Sequence, residues 1–219
     1  MASMAHRVAK GLVGGCALLL GVTLTGCGAP QYTYVANSNA STYFKVPNGW
    51  HKIDGAALQK VEQELQYPVA GWQVAYEAGR DPTANDFLGF DSNEPFVFVE
   101  IGMLTQAGSQ NLSYNTLRDI FLPVTSTSRQ SVPANYPLTD FKSIRDENLT
   151  PGLGVHGVRE TYDYTFEDGP TDTFDEIALT NAEQTMLYFL VLHCTETCYS
   201  NDQTAINDVM SSFTIRSSS

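Results

Sequence analysis

Residues 158–166 read Val-Arg-Glu-Thr-Tyr-Asp-Tyr-Thr-Phe, and their alternation is the clearest structural pattern in the chain. Successive side chains of a strand point to opposite faces. One face of this strand would carry Val158, Glu160, Tyr162, Tyr164 and Phe166. The following Glu-Asp-Gly-Pro at 167–170 is typical of a turn, and residues 173–179 supply a partner strand. The stretch therefore predicts an antiparallel β-hairpin.

Strand patterns continue on both sides of this hairpin. Residues 185–193 are apolar on both faces, which predicts a central, buried strand. Residues 96–101 combine β-branched and aromatic side chains, which favour strands. Shorter segments at 42–46, 71–77 and 141–149 predict further strands.

Helices are predicted at three places. Asp54 and Ser113 each precede apolar residues at helical spacing, and both residue types cap helix N-termini. Ile206, Val209 and Met210 share one face of a helix predicted over 202–211. Many strands with few helices and a late hairpin predict an α+β domain built around one antiparallel sheet.

The start of the chain has the features of an export signal. His6, Arg7 and Lys10 form a basic segment, and the apolar residues 11–22 follow it. This apolar run is too short to span a bilayer comfortably, which needs about 20 residues. It ends in Leu24-Thr25-Gly26-Cys27, which resembles the lipobox of bacterial lipoproteins. The resemblance implies cleavage before Cys27 and a lipid on its thiol.

Two alternatives to this interpretation are an uncleaved membrane helix and an ordinary signal peptide with a chance cysteine. Cys16 is a weaker lipidation candidate because it lies too close to the basic residue Lys10. The lipobox predicts a signal peptide at 1–26, a lipid-anchored polar tether at 27–41 and one domain at 42–216. The predicted location is the extracytoplasmic face of the cell membrane, with the lipid on Cys27 as the membrane contact.

The net charge of the chain argues against two kinds of interaction. Cleavage would remove two of the 12 basic residues and none of the 24 acidic ones, leaving a net charge of −14. A surface this acidic argues against nucleic acid and against electrostatic attraction to anionic lipid. The lipid itself must therefore supply the membrane anchor.

Cys194 and Cys198 lie four residues apart, directly after the predicted central strand. In an exported domain two such cysteines favour a disulfide. One alternative is a metal site that adds His193 and Glu196, but it lacks a second ligand pair at zinc spacing. Free thiols are the other alternative.

Two segments at the ends of the predicted domain resemble a known family. Residues 44–50, Phe-Lys-Val-Pro-Asn-Gly-Trp, look like the entry of PsbP-like domains, and 202–215 is similar to their closing helix and strand. The resemblance implies a three-layer α/β/α sandwich, which photosystem extrinsic proteins, a Ran-binding import factor and actinobacterial envelope lipoproteins share. It also implies a binding or assembly role. No photosystem-type or Ran-contacting residues are matched.

Acidic residues crowd the late hairpin. They are Asp163, Glu167, Asp168, Asp172, Asp175 and Glu176. Calcium favours carboxylate oxygens, yet the spacing of a calcium-binding loop is absent. The pattern predicts a solvated acidic surface, with a weak cation or a basic partner as the alternative.

No catalytic constellation is evident. Residues 152–157 match G-x-G-x-x-G in letters, but a turn precedes them and a strand follows, which predicts a loop. His51, His156 and His193 follow the predicted signal, without a G-x-S-x-G or H-E-x-x-H motif. The sequence predicts a protein that is not an enzyme and has no cofactor and no metal.

Three functions remain open. The first is a binding or assembly factor that engages another envelope protein. The second is a carrier of a small ligand or lipid, in a cavity beside the sheet lined by the aromatic side chains of the hairpin. The third is an envelope hydrolase whose site cannot be recognised in sequence.

Overall fold

A computed structural model describes residues 31–65, 71–79, 82–87, 93–167 and 169–216. The predicted signal peptide and Cys27 lie outside the described residues. The strands are β1 (Tyr32–Asn37), β2 (Thr42–Pro47), β3 (His51–Lys52), β4 (Gly71–Glu77), β5 (Phe96–Met103), β6 (Leu138–Gly152), β7 (Val155–Phe166), β8 (Thr171–Thr180), β9 (Met186–Thr195) and β10 (Thr214–Ile215). The α-helices are α1 (Gly55–Leu65), α2 (Gln106–Gln110), α3 (Tyr114–Arg118), α4 (Ser126–Ser131), α5 (Glu196–Asn201) and α6 (Gln203–Ser212).

Seven strands form the main sheet, in the order β3-β4-β5-β9-β8-β7-β6, and every neighbouring pair is antiparallel. A small antiparallel sheet contains β1, β2 and β10. The predicted α+β class with an antiparallel sheet is confirmed. The apolar run at 185–193 forms most of β9, which lies in the middle of the main sheet as its two apolar faces require.

Each face of the main sheet packs on its own core. Leu187, Phe189 and Val191 of β9 face the side covered by α1, α3 and the segment after α3. Leu190 and Leu192 face the side covered by α6 and the small sheet. The main sheet is therefore the middle of three layers, and the layer that contains α6 also contains β1, β2 and β10.

Helix α6 explains why the closing segment docks on the sheet. Ile206, Val209 and Met210 lie on one helical face, as the spacing predicts, and all three are buried. The opposite face of α6 is polar. No helix in the described part of the chain is long and apolar enough to cross a membrane.

Strand β1 corrects the predicted tether. It covers Tyr32–Asn37, within the segment 27–41 predicted to be a polar spacer, and it pairs with β2 along its whole length. Val35 is buried against the α6 side of the sheet, and the Tyr32 hydroxyl donates to the Asp208 carboxylate on α6. The folded part of the chain therefore includes these residues, and any spacer ends before Tyr32.

The turn between β6 and β7 accounts for the glycine-rich motif. Gly152, Leu153 and Gly154 have φ values of 108°, 58° and 75°, a left-handed region that favours glycine. Val155 follows directly as the first residue of β7. The motif forms a hairpin turn, as predicted, and no helix follows it.

Cys194 at the end of β9 and Cys198 in α5 are joined by a disulfide, with their Cα atoms 5.9 Å apart. Both residues are buried on the α6 side of the sheet. The bond ties the central strand to the first turn of the helical segment that leads to α6.

Candidate functional site

The acidic residues of the late hairpin are mostly buried, which corrects their predicted solvent exposure. Asp163, Asp172, Asp175 and Glu176 are each at most 3% exposed. Glu167 lies in solvent at the turn, and Asp168 lies outside the described residues. Strands β7 and β8 are interior strands of the sheet, and both of their faces are covered. These carboxyl groups need partners inside the protein.

On the α6 side, Asp175 is the centre of a hydrogen-bonded group. Arg159 donates from Nε to Oδ1 at 3.0 Å and from Nη2 to Oδ2 at 2.7 Å. The hydroxyl of Tyr199 on α5 donates to Oδ2 at 2.9 Å. Burial, reinforced by the Asp175 charge, raises the pKa of Tyr199, so the hydroxyl keeps its proton. The group is fully paired, which indicates a structural role.

On the opposite face, Glu160 and Glu176 lie directly across from each other on β7 and β8. The hydroxyl of Tyr162 donates to Oε2 of Glu176 at 3.0 Å. Burial raises the pKa of Glu160 to about 8; the charge of Asp146 adds to this effect and Arg118 opposes it. Burial, followed by the charge of Glu160, raises the pKa of Glu176 well above its usual range.

Arg118 reaches this carboxyl pair from the last turn of α3. Its Nε lies 3.1 Å from Oε1 of Glu160 and 3.0 Å from Oδ1 of Asp146. Its Nη2 donates to Asp146 at 2.7 Å and to Oδ1 of Asn148 at 2.9 Å. Burial would lower the pKa of Arg118, but the hydrogen bonds and charges of these carboxylates outweigh it and raise the pKa.

Local capping fixes α3 and the segment that follows it. The Ser113 hydroxyl accepts from the backbone N–H of Thr116, and the Thr116 hydroxyl accepts from the backbone N–H of Ser113. Beyond α3, the Asp119 carboxylate accepts from the backbone N–H groups of Val124 and Thr125 and from the Thr125 hydroxyl. These bonds hold the start of α4 beside α3.

A cleft of about 350 Å³ opens between α3, the start of α4 and the strands β6 and β7. We call it the α3–β6 cleft. It is lined by Asn115, Arg118, Val124, Thr125, Ser126, Thr127, Phe141, Ser143, Asp146 and Glu160. Its volume lies within the range of small-ligand sites.

The buried end of this cleft carries an unsatisfied polar atom. Glu160 is 1% exposed, and its Oε1 is paired with Arg118. Its Oε2 is buried without a hydrogen-bond partner among the described residues. Oε1 of Glu176, on the neighbouring strand, is also buried without a hydrogen-bond partner among the described residues. Buried polar atoms are normally paired, so these two carboxyl oxygens are unsatisfied hydrogen-bonding groups in the interior beside the cleft.

A smaller hollow of about 180 Å³ lies on the other side of Phe141. The guanidinium of Arg129 stacks over the Phe141 ring at 4.2 Å and contributes to the wall of this hollow. Phe141 also packs against Tyr164, with ring centroids 5.2 Å apart. Phe141 therefore separates the two spaces.

The three histidines in the part of the chain that the structure describes, His51, His156 and His193, lie in separate environments. His193 is fully buried, lies 3.6 Å from the Asp172 carboxylate and stacks on Phe174, so a substrate in solvent has no access to it. The Nδ1–H groups of His51 and His156 donate to backbone carbonyls. The described residues contain no group of three or more His, Cys, Asp and Glu side chains that could hold a metal ion.

The aromatic stripe of β7 is part of the core. Tyr162 and Tyr164 are buried, and Tyr162 stacks on Phe174 with ring centroids 5.4 Å apart. The Tyr164 hydroxyl donates to the backbone carbonyl of Pro123. The prediction that such a stripe packs the core is confirmed for these two rings. Tyr164 also contributes to the wall of the 180 Å³ hollow beside Phe141.

Sequence reasoning missed Arg118 and Asp146, which lie in segments without a recognisable motif. Glu160, by contrast, has a recognisable signal in the sequence. It is a carboxyl residue between Val158 and Tyr162 on the face that the alternation assigns to the core. A charged residue at a core position needs a partner or a function.

No family model matches this chain, and no curated protein matches it. Several solved structures do match it. Cyanobacterial PsbP from Synechocystis is 17% identical, with a TM-score of 0.51, and the match covers 93% of this chain and 99% of that one. This likeness shows that the fold is PsbP-like, as the terminal segments of the domain predict.

Two further solved structures are similar at lower scores. One is LpqN of Mycobacterium tuberculosis, which is described as involved in cell envelope biogenesis. It is 15% identical with a TM-score of 0.48, and the match covers 85% of this chain and 91% of the LpqN chain. The Ran-binding protein Mog1p of Saccharomyces cerevisiae is 9% identical with a TM-score of 0.45, covering 84% and 95%.

Proposed function

We propose that this chain is an exported lipoprotein, anchored through Cys27 at the extracytoplasmic face of the cell membrane, that acts as a non-enzymatic binding or assembly factor for another envelope protein. The export signal and lipobox-like segment support the location. The observation that carries the binding role is the open edge of the main sheet. Strand β6 ends the sheet and is exposed along most of its 15 residues.

This edge presents apolar side chains to solvent. Ile144 on β6 is 53% exposed, and Leu153 in the following turn is 64% exposed. Large apolar side chains on an otherwise charged edge are suited to contact with a partner protein. The net negative charge of the chain favours a partner with complementary basic residues at the rim of the contact.

The edge is not suited to simple strand addition. The pairing of β6 with β7 shifts register between Thr139 and Lys142, between Ser143 and Arg145, and between Leu149 and Gly152. Such bulges, together with charged residues, block edge-to-edge pairing with another strand. A partner would therefore recognise the side chains of this edge and of the turn.

The anchor is tested by intact mass and fractionation of the protein made in a bacterium with lipoprotein processing. The wild-type protein should begin at Cys27, carry acyl mass and remain in the membrane fraction after a salt wash, because acyl chains, unlike surface charge, are not screened. A Cys27→Ala variant should lack the acyl mass and leave the membrane. A Cys16→Ala variant is the matched control and should behave as wild type. A wild-type protein that retains residues 1–26 would contradict the anchor.

The partner contact is tested by photo-crosslinking in intact membranes. A photoreactive amino acid at position 144 or 153 should give a discrete adduct with one envelope protein. Ile144→Asp should reduce the yield of the adduct formed from position 153 at least about tenfold, as expected for a central apolar contact. A photoreactive amino acid at position 103 is the matched control. Met103 is 73% exposed and lies on β5, far in sequence from this edge. Adducts at 103 equal to those at 144 and 153, or an unchanged yield in Ile144→Asp, would overturn the contact.

A further inference from the structure

The outer face of the small sheet carries tyrosine and basic side chains. Val35 on β1 and Phe44 on β2 are buried against the core. Because successive side chains of a strand alternate, Tyr34 on β1 and its cross-strand partner Lys45 on β2 point outward. Tyr34 is 79% exposed. We call this surface the tyrosine face, and its other members are Tyr32, Ala36, Tyr43, Thr214 and Arg216.

Two cations of the tyrosine face stack on its rings. Nζ of Lys45 lies 3.9 Å from the centroid of the Tyr32 ring, and the guanidinium carbon of Arg216 lies 4.7 Å from that of Tyr43. Asp208 on α6 places a carboxylate beside this face. It accepts from the Tyr32 hydroxyl and lies 3.5 Å from Nζ of Lys45. The carboxylate is therefore already paired, and Arg216 is a second positive charge.

This face differs in charge from the rest of the chain. All 24 acidic residues follow residue 53, so the segment 28–53, which contains β1 and β2, has none. After the predicted cleavage the whole chain nevertheless has a net charge of −14. An anionic lipid surface repels such a protein as a whole, yet it attracts Lys45 and Arg216 when this face lies nearest to it. Charge therefore favours one orientation of the domain.

The chain before β1 limits where the domain can lie. Residues 28–30 separate the proposed lipid-bearing Cys27 from Gln31, the first described residue. At no more than about 3.6 Å per residue, Gln31 lies within about 14 Å of Cys27. Tyr32 follows directly as the first residue of β1. The proposed anchor would therefore hold this end of the small sheet beside the lipid headgroups.

The exposed tyrosine suits such a position. Tyrosine is enriched at membrane–water interfaces, where its ring lies at the level of the headgroups and its hydroxyl stays hydrated. Tyr34 contributes little to the core because most of its surface is exposed. Its ring can therefore enter the interface without disturbing the fold.

We infer that the tyrosine face docks on an anionic lipid surface, that of the membrane in which the proposed lipid on Cys27 is embedded, with the Tyr34 ring at the level of the headgroups. Lys45 and Arg216 contact lipid phosphates. The inference rests on the proposed anchor and adds an orientation to it. It turns the layer that contains α1 and α3, and with it the α3–β6 cleft, away from the membrane.

The test uses the full mature lipoprotein in vesicles of phosphatidylcholine and phosphatidylglycerol that include a lipid with a nitroxide on its headgroup. A fluorescent label is attached to Ala36→Cys on the tyrosine face or to Thr127→Cys on α4, across the main sheet. Cys194 and Cys198 are joined, and the acylated Cys27 does not react, so the new thiol takes the label. The nitroxide should quench the label at 36 and leave the label at 127 as bright as in vesicles without nitroxide.

Two double variants carry the same change of charge at different places. Tyr34→Asp with Arg216→Glu alters the tyrosine face, whereas Lys60→Glu with Tyr114→Asp alters exposed residues of α1 and α3. The first should reduce quenching at 36 to the level seen at 127, because it removes the interfacial ring and reverses a cation. The second should leave quenching at 36 unchanged, because it changes the net charge equally but not the docking face.

Flotation of the vesicles measures the anchor separately. Protein that does not float with the vesicles would contradict the anchor and the docking together. Protein that floats but is quenched equally at 36 and 127, or whose quenching at 36 survives the first double variant, would overturn the docking alone. A label at 36 whose emission shifts to the blue with rising protein density, without quenching, would place a second copy of the chain on this face and would also overturn the docking.

Discussion

Replacing Asp175 with alanine is expected to lower the free energy of unfolding by about 3–5 kcal/mol, the usual effect of breaking a buried ion pair from one side. Asp175 is fully buried, and the Arg159 side chain is 16% exposed. Asp175→Ala removes the acceptor of two Arg159 hydrogen bonds and one from Tyr199. The guanidinium would then remain in the interior without a counter-charge. Urea denaturation followed by circular dichroism measures the change.

A double variant separates this penalty from simple loss of packing. Arg159→Met with Asp175→Leu removes both charges while keeping apolar volume, and it should be less destabilised than Asp175→Ala alone. Tyr199→Phe removes a single hydrogen bond and should cost about 1 kcal/mol. If Asp175→Ala lowered the free energy of unfolding by less than about 1 kcal/mol, the pairing around Asp175 would not contribute as described.

The strand framework of this domain could be predicted from local sequence because it depends on local patterns. The alternation at 158–166 fixed the two faces of β7, and the unbroken apolar run at 185–193 fixed the central position of β9. These signals reflect the two-residue period of a strand and the burial of both faces of an interior strand. The hairpin between β7 and β8 followed from its turn residues.

The environment of the acidic residues could not be predicted in the same way. Asp163, Asp175 and Glu176 look like surface residues in sequence because they cluster near a turn. Their burial depends on what covers β7 and β8, and their partners come from distant segments. Lys142 lies 21 residues from Asp163, and Tyr199 lies 24 residues from Asp175. A single sequence carries no local signal of such pairs.

The α3–β6 cleft was missed for a related reason. Arg118 lies 28 residues from Asp146, and the two meet because α3 packs across the edge of the hairpin.

The predicted tether was wrong for a different reason. The prediction gave more weight to the small polar residues near the end of this segment than to the β-propensity of Tyr32, Tyr34 and Val35. Strand β1 is stable in the domain because it pairs with β2 and because Val35 packs against the core beside α6.

The carboxyl pair of Glu160 and Glu176 should make the stability of this domain fall as pH rises. Both groups have folded-state pKa values above the usual value of 4.5, and that of Glu160 is about 8. The folded protein therefore holds protons that the unfolded chain has released. The stabilising effect is complete below pH 4.5 and is lost as pH rises through about 8.

The expected slope follows from proton linkage. Each proton retained by the folded state contributes at most about 1.4 kcal/mol per pH unit. Glu160 borders an open cleft, where solvent screens part of the effect, so we expect about 1–2 kcal/mol from this carboxyl between pH 5 and pH 8. Glu176 should lower the stability further in the same direction. Urea denaturation at a series of pH values measures the profile.

Glu176→Gln provides the decisive comparison because a glutamine amide keeps the shape and cannot ionise. Near pH 5, where Glu176 is protonated, the variant should match wild type within about 0.5 kcal/mol. Near pH 8 it should be the more stable of the two, because folded wild type must then either keep a proton that the unfolded chain releases or bury a second carboxylate opposite Glu160. Glu147→Gln, an exposed carboxylate on β6, is the control and should leave the profile unchanged. Parallel profiles for wild type and Glu176→Gln would mean that Glu176 titrates as it does in the unfolded chain, and the buried pair would then have no influence on how stability responds to pH.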